Sequence, residues 1–118
     1  MVNKVEYGNV KNILIGQASY YIALPIKVSG SANTTIKAGE PLTGDLTTRL
    51  SSEFTASTSG AVGLLLHDVL LDGSGKGNGT LLIAGCVDKL KIDSAVLGKI
   101  TTAKTDLPLI IVAEGSKI

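Results

Sequence analysis

A chain of 118 residues, 44% of them hydrophobic, is the size of one ordinary domain and can bury a core without metal or disulfide staples. Eleven basic residues against ten acidic ones leave a net charge of +1, and the lysines are scattered rather than gathered in a stripe, which argues against an electrostatic binder of nucleic acid or membrane. Aromatic residues make up only 3% and Cys86 is the single cysteine, so there are few rings to stack on bases and no internal disulfide framework.

Residues 1–12 are mixed and polar, with Gly8 and Asn9 as turn formers, and read as an arm with little means of folding on itself. They lack the continuous apolar core of a secretory signal, and no apolar run approaches the roughly 20 residues of a spanning helix, so the expectation is a chain made and kept in a cytoplasm. A mean hydropathy of +0.34 suggests apolar surface for a partner to cover. Residues 13–118 read as a single β-rich domain. Its first strand signals are Ile13, Leu14 and Ile15, then, after a break at Gly16 and Gln17, residues 20–28 with Pro25 inside. Pro25 has no amide proton, which places that strand at a sheet edge or a bulge. An edge strand beside a loose arm is a place where another chain can add.

The connector SGSANTT at 29–35 leads to IKAGEPL at 36–42, where Gly39 and Pro41 force a tight bend between short extended pieces. Residues 43–60 are crowded with Thr, Ser and Gly. Leu46, Leu50 and Phe54, spaced by four, permit a turn or two of helix, but Thr47, Thr48 and Thr55 favour a surface loop pinned at those three points. The densest apolar signal is residues 61–90, AVGLLLHDVLLDGSGKGNGTLLIAGCVDKL. Each of its two apolar runs is short, aliphatic and bounded by Gly or Asp, which predicts two buried strands joined by a mobile loop containing Gly73, Gly75, Gly77 and Gly79. Asp93 or Ser94 then caps a short helix through residues 95–104, Leu107-Pro108 stops it, and residues 109–113 form a last strand. The fold class is mainly β: a small β-sandwich or partly open β-barrel with at most one short helix.

Groups that carry chemistry are sparse. Lys76 among glycines invites a phosphate-loop reading, but a Walker loop needs Ser or Thr after Gly-Lys, Gly77 stands there, and an apolar strand follows instead of a helix. A calcium loop starting at Asp72 would put Lys76 at a ligand position and Ile83 where a bidentate Glu belongs. His67 and Cys86 share a strand face if Leu71 pairs with Thr80 and take opposite faces if it pairs with Leu81. A thiolate-imidazole pair also needs an orienting group and an oxyanion hole, so Cys86 reads as a small buried hydrophobe and His67, beside Asp68, as a strand-end polar contact. Two such residues fall short of a structural zinc site. The acidic side chains Asp45, Glu53, Asp68, Asp72, Asp88, Asp93 and Asp106 fall at turns and strand ends, where they cap. No catalytic residue, cofactor or metal is expected.

The segments IKAGEPLTGD at 36–45, STSGAVGLLLHDV at 57–69 and GNGTLLIAGCVDKLKI at 77–92 together resemble tailed-bacteriophage head decoration proteins, including the related head-fibre proteins. The shared pattern is an AG-x-P-L bend, a variable loop, G-A-x-G-(aliphatic)-L and a later (aliphatic)-G-x-V strand, covering about half of the chain. The resemblance implies a small β-rich, non-catalytic protein on the outer surface of the virion capsid, made in the bacterial host cytoplasm. Its partners would be the major capsid protein and itself as a homotrimer, with no nucleic acid and no membrane. Ala38, Gly39, Pro41, Leu42, Ala61, Gly63, Leu64, Leu65, Gly85 and Val87 would be fold-bearing positions. The N-terminal arm, with Val2, Asn3, Lys4, Val5 and Tyr7, would engage the capsid, and the chain lacks the fibrous extension of head-fibre proteins. The rivals are the base domain of a head fibre, a cytoplasmic small-ligand-binding β-barrel, and an enzyme using His67 or Cys86.

Overall fold

The computed structural model of the chain describes residues 13–15 and 21–114. Eight strands run in chain order: β1 (Ile22–Ser29), β2 (Thr35–Ile36), β3 (Pro41–Thr43), β4 (Glu53–Ala56), β5 (Gly63–Leu65), β6 (Val69–Leu70), β7 (Lys76–Asp88) and β8 (Ile110–Ala113). The described residues hold one α-helix, α1 (Ser94–Ala103). The chain is thus mainly β with one short helix.

Strand pairing closes a ring. β1 pairs with β4 in parallel, β4 with β3, β3 with β5, β5 with β7, and β7 returns to β1, the last four all antiparallel. Of the two architectures the sequence leaves open, this is the barrel, and it is only partly closed because β7 runs on below the ring. There it pairs with β8 in parallel, Cys86 opposite Ile111, and with Leu14 through a bridge at Val87. Each ring strand contributes to one interior cluster: Ile26 and Val28 from β1, Leu42 from β3, Phe54 from β4, Leu65 from β5 and Leu81 from β7. A second cluster lies outside the wall, where Leu64, Leu82, Val87 and Ile110 meet Val96, Ile100 and Ala103 of α1. Adjacent leucines therefore point to opposite cores, which is why residues 64–65 and 81–82 read as continuous apolar runs rather than alternating ones.

The helix forms because Asp93 accepts the Ala95 N–H at 3.0 Å and because Val96, Ile100 and Ala103, buried at three- and four-residue spacing, place one apolar stripe on the wall. It ends in a 3₁₀ turn at Lys104–Asp106, just before Pro108. Pro25 sits on the half of β1 that only β7 flanks: β4 pairs with β1 at Lys27 and Val28, and a register shift falls between Ile22 and Ala23. The Pro25 carbonyl faces away from β7 and accepts Arg49 Nη1 at 2.9 Å, so its imide nitrogen costs the ladder no hydrogen bond.

Two expectations need correction. Residues 43–60 are not simply a pinned loop: after a 3₁₀ turn at Leu46–Thr48, β4 closes the ring with Phe54 fully buried, while Leu50 is 71% exposed and anchors nothing. Nor do the four glycines share a mobile loop. Only Gly73 and Gly75 lie in the turn, which is closed by the Gly75 N–H to the Asp72 carbonyl at 3.0 Å and the Asp72 N–H to the Lys76 carbonyl at 2.9 Å; Gly75 has φ +78°, which favours glycine. Gly77 and Gly79 lie inside β7, two residues apart and so on one face. A Cβ on Gly79 would stand 2.9 Å from Leu65 Cδ1 and 3.0 Å from Val69 Cγ2.

That close approach and an open helical glycine predict effects of opposite sign. Gly79→Ala crowds the interior and should lower stability by about 1–3 kcal/mol. Gly98→Ala, where an added methyl meets nothing within 4 Å, should raise it by about 0.5–1 kcal/mol. Urea unfolding of the two variants beside the parent checks both signs.

Candidate interaction surface

The glycine turn builds its own anion site and fills it. Asp72 Oδ1 accepts the Ser74 N–H at 2.8 Å, the Ser74 hydroxyl at 2.8 Å and the Lys76 N–H at 3.0 Å. Lys76 Nζ is 2.7 Å from the Glu53 carboxylate. The amides and the cation that a phosphate would use are therefore already neutralised inside the chain, and a phosphate would have to displace a carboxylate to enter.

His67 and Cys86 do not meet. Leu64 pairs with Leu82 and Leu65 with Leu81, and the Leu66 N–H reaches the Thr80 carbonyl at 2.9 Å, so His67 comes level with Gly79. Cys86 lies on the order of 20 Å further along the same strand at 3.3 Å per residue. Neither register considered for Leu71 occurs, because the chain leaves β7 after Leu66 and pairs β6 with β2 instead, Leu70 opposite Thr35. Asp68, next to His67, accepts the Ala38 N–H at 2.7 Å. Among the described residues, no three His, Cys, Asp or Glu side chains are grouped to hold a metal.

The ten positions singled out by the resemblance lie along one path through the barrel. Ala38 and Gly39 form the bend between β2 and β3, with Gly39 at φ +95° and its N–H on the Leu65 carbonyl at 2.7 Å. Pro41 and Leu42 begin β3, Ala61 is buried just ahead of β5, and Gly63, Leu64 and Leu65 are β5 itself. Gly85 and Val87 lie on β7 below the ring, opposite Ile110 and Val112. The arm residues Val2, Asn3, Lys4, Val5 and Tyr7 fall outside the described residues.

Two surface features remain. One is an open groove of about 350 Å³ between α1 and the β2–β3 bend, with Ile36, Ala56 and Val96 among its lining. It is bordered by ion pairs from Lys37 to Asp93 at 2.9 Å and from Lys99 to the buried Glu40 at 2.8 Å, so neither lysine there is free to hold a charged ligand. The other lies below the ring, where β7 is held between two flanks. Ile13 and Leu14, both buried, lock onto one edge: the Ile15 N–H donates to the Cys86 carbonyl at 3.0 Å and the Asp88 N–H to the Ile13 carbonyl at 2.8 Å. β8 takes the other edge. The face of this small sheet that bears Leu14, Val87 and Ile110 packs into the cluster under α1. The opposite face carries half-buried Cys86 and its ladder neighbour Ile111, 60% exposed.

Sequence reasoning missed this face. Residues 109–112, LIIV, were legible as a strand, but which of its faces had a partner depended on where α1 docks. The buried Glu40 was missed too, since its burial follows from the bend at Gly39. No family model matches this chain, and no curated protein matches it either.

The carboxyl of Asp72 is held below the usual carboxylate range, first by the Lys76 N–H and then by the Ser74 hydroxyl and N–H. A depressed folded value means a stabilising contribution that is present above the unfolded value of about 4 and is lost as the pH falls through the folded one. Stability should therefore drop as the pH is lowered below about 4. Asp72→Ala should lower the unfolding midpoint near neutrality while making the acid-side loss shallower, as read by urea midpoints across a pH series.

Proposed function

We propose that this chain is a non-catalytic decoration protein of a tailed-phage head. On this reading it binds the outside of the assembled capsid as a homotrimer, touches the major capsid protein through the arm of residues 1–12, and reinforces the shell. The residue pattern at 36–45, 57–69 and 77–92 supports it at the level of sequence.

The structural observation that carries most weight is the seating of Ile13 and Leu14. Both side chains are buried and both flanking backbone bonds to β7 are made, so residues 13 and 14 are fixed at one place on the rim, beside an exposed apolar sheet face. A contact made by the arm needs such a fixed root, because a linked binding group gains effective concentration only when its attachment point is held near the target. The barrel interior, filled by Phe54 and aliphatic side chains, favours this reading over a ligand-binding barrel. The separation of His67 from Cys86 favours it over thiol-imidazole chemistry.

Capsid binding is tested with heads assembled without this protein. The full chain should co-sediment with them, and removal of Met1–Val10 should abolish binding while leaving the thermal transition in place. Failure of the full chain to co-sediment would remove the capsid reading; unchanged binding by the truncated chain would remove only the arm's role.

A further inference from the structure

Among the described residues, the ladder contacts of residues 13–15 all fall below the ring. Leu14 bridges to Val87, the Ile15 N–H donates to the Cys86 carbonyl at 3.0 Å, and the Asp88 N–H donates to the Ile13 carbonyl at 2.8 Å. All three lie past Ala84, the last residue of β7 that pairs with β1. Ile13 and Leu14 belong to the cluster under α1, and neither is among the side chains that fill the ring interior. A further bond comes from outside the sheet. Lys91, at the end of the 3₁₀ turn Lys89–Lys91, donates from Nζ to the Leu14 carbonyl at 2.8 Å. That turn is itself set on β7, because Asp88 Oδ1 accepts the Leu90 N–H at 2.9 Å.

Releasing residues 13–15 would break their bonds to Cys86, Asp88 and Lys91 and uncover Ile13 and Leu14, but it would leave every ladder of the ring made. Proteins open in such units, at free energies below that of global unfolding, where a short element packs on one layer and its loss leaves the other layers intact. Lys91 sets this segment apart from an ordinary fraying end. An ammonium on a carbonyl is a charge-assisted hydrogen bond, and this one reaches the middle residue of the segment from a different element, so it holds the segment independently of the β7 ladder.

We infer that residues 13–15 are a strap that opens as a unit while the barrel stays folded, and that Lys91 is its clasp. Closed, the strap covers the edge of β7 at residues 86–88 and one side of the cluster under α1. Open, it uncovers that edge, to which an extended backbone can add. On the proposed function the closed strap is the root of the arm, and Lys91 sets how firmly that root is held. The device itself takes nothing from capsid binding, so the purified full chain tests it without heads.

Amide hydrogen exchange of the full chain, read residue by residue and corrected for intrinsic rates, separates the strap from what surrounds it. Ile15 and Asp88 should be protected at least about tenfold less than Leu65 and Leu66, whose N–H groups bond the Glu40 and Thr80 carbonyls of the ring. They should also be protected less than Gly85, whose N–H bonds the Leu109 carbonyl on the β8 side of the same strand. Lys91→Met keeps the aliphatic stem and removes the donor, and should lower protection at Ile15 and Asp88 by roughly a further tenfold while leaving Leu65, Leu66 and Gly85 unchanged. Lys89→Met, which removes a charge from the same turn, should change none of the five. Equal protection of Ile15, Asp88 and the ring amides in the parent overturns the strap, and so does Gly85 exchanging together with Ile15 and Asp88, since the whole platform would then be opening. The clasp is overturned if Lys91→Met leaves Ile15 and Asp88 as they were, or if Lys89→Met moves them equally. A Lys91→Met chain that does not fold contradicts an opening that spares the barrel. Head binding stands or falls separately from every one of these results.

Discussion

Strand β7 is constrained on all four sides along its middle. At Leu81 and Leu82 it is hydrogen-bonded to β1 on one edge and β5 on the other, and its two faces feed separate cores. A strand so enclosed cannot slip by one residue, because the shift would exchange every side chain between the barrel interior and the helix side. Everything else follows from that fixed ribbon. Its upper part must let Val69 and Leu71 come close, which Gly77 and Gly79 permit. Its lower part leaves the ring and becomes a platform for Ile13, Leu14 and β8.

Much of the fold was legible because local chemistry and tertiary structure agree. Asp93 caps the helix, Pro108 follows its end, and the aliphatic runs at 63–66 and 80–84 are strands buried on both faces. Where the reading failed, long-range packing decided. The glycines at 77 and 79 look like loop residues by composition, yet their two-residue spacing is the signature of one strand face that another layer approaches closely. β4 was hidden among Thr and Ser because a strand of four residues needs only Phe54 inside to justify it. The register of the central pair was not readable at all, since β6 leaves β7 to pair with β2, a partner more than thirty residues earlier in the chain.

Among the described residues, several carboxylates serve to close turns and tie strands together. The carboxylates of Asp45, Asp72 and Asp93 accept local N–H groups, and Glu53 and Asp93 take Lys76 and Lys37. Asp45 is held below the usual range by the Thr47 hydroxyl and N–H, and Glu53 by Lys76. Each is committed within a few residues of a turn or across a neighbouring strand pair. The charges that composition could only count, eleven against ten, are thus spent in part on fixing bends. The glycine turn shows the same use: its Ser74 and Lys76 amides point inward on Asp72.

The division between ring and platform is also a division of stability. The ring's interior is filled by side chains from all five strands, and the half of β1 that β4 does not reach is blunted by Pro25 and by Arg49 on its carbonyl. The platform has α1 behind it and, at its margin, β8, which among the described residues pairs only with β7. On the proposed reading, this asymmetry separates two tasks that conflict in a small protein. A surface that adheres must keep apolar groups available, and a domain that persists must hide them. Placing both demands on one strand, with a bulge between Ile22 and Ala23 marking the boundary, lets the upper half satisfy one and the lower half the other.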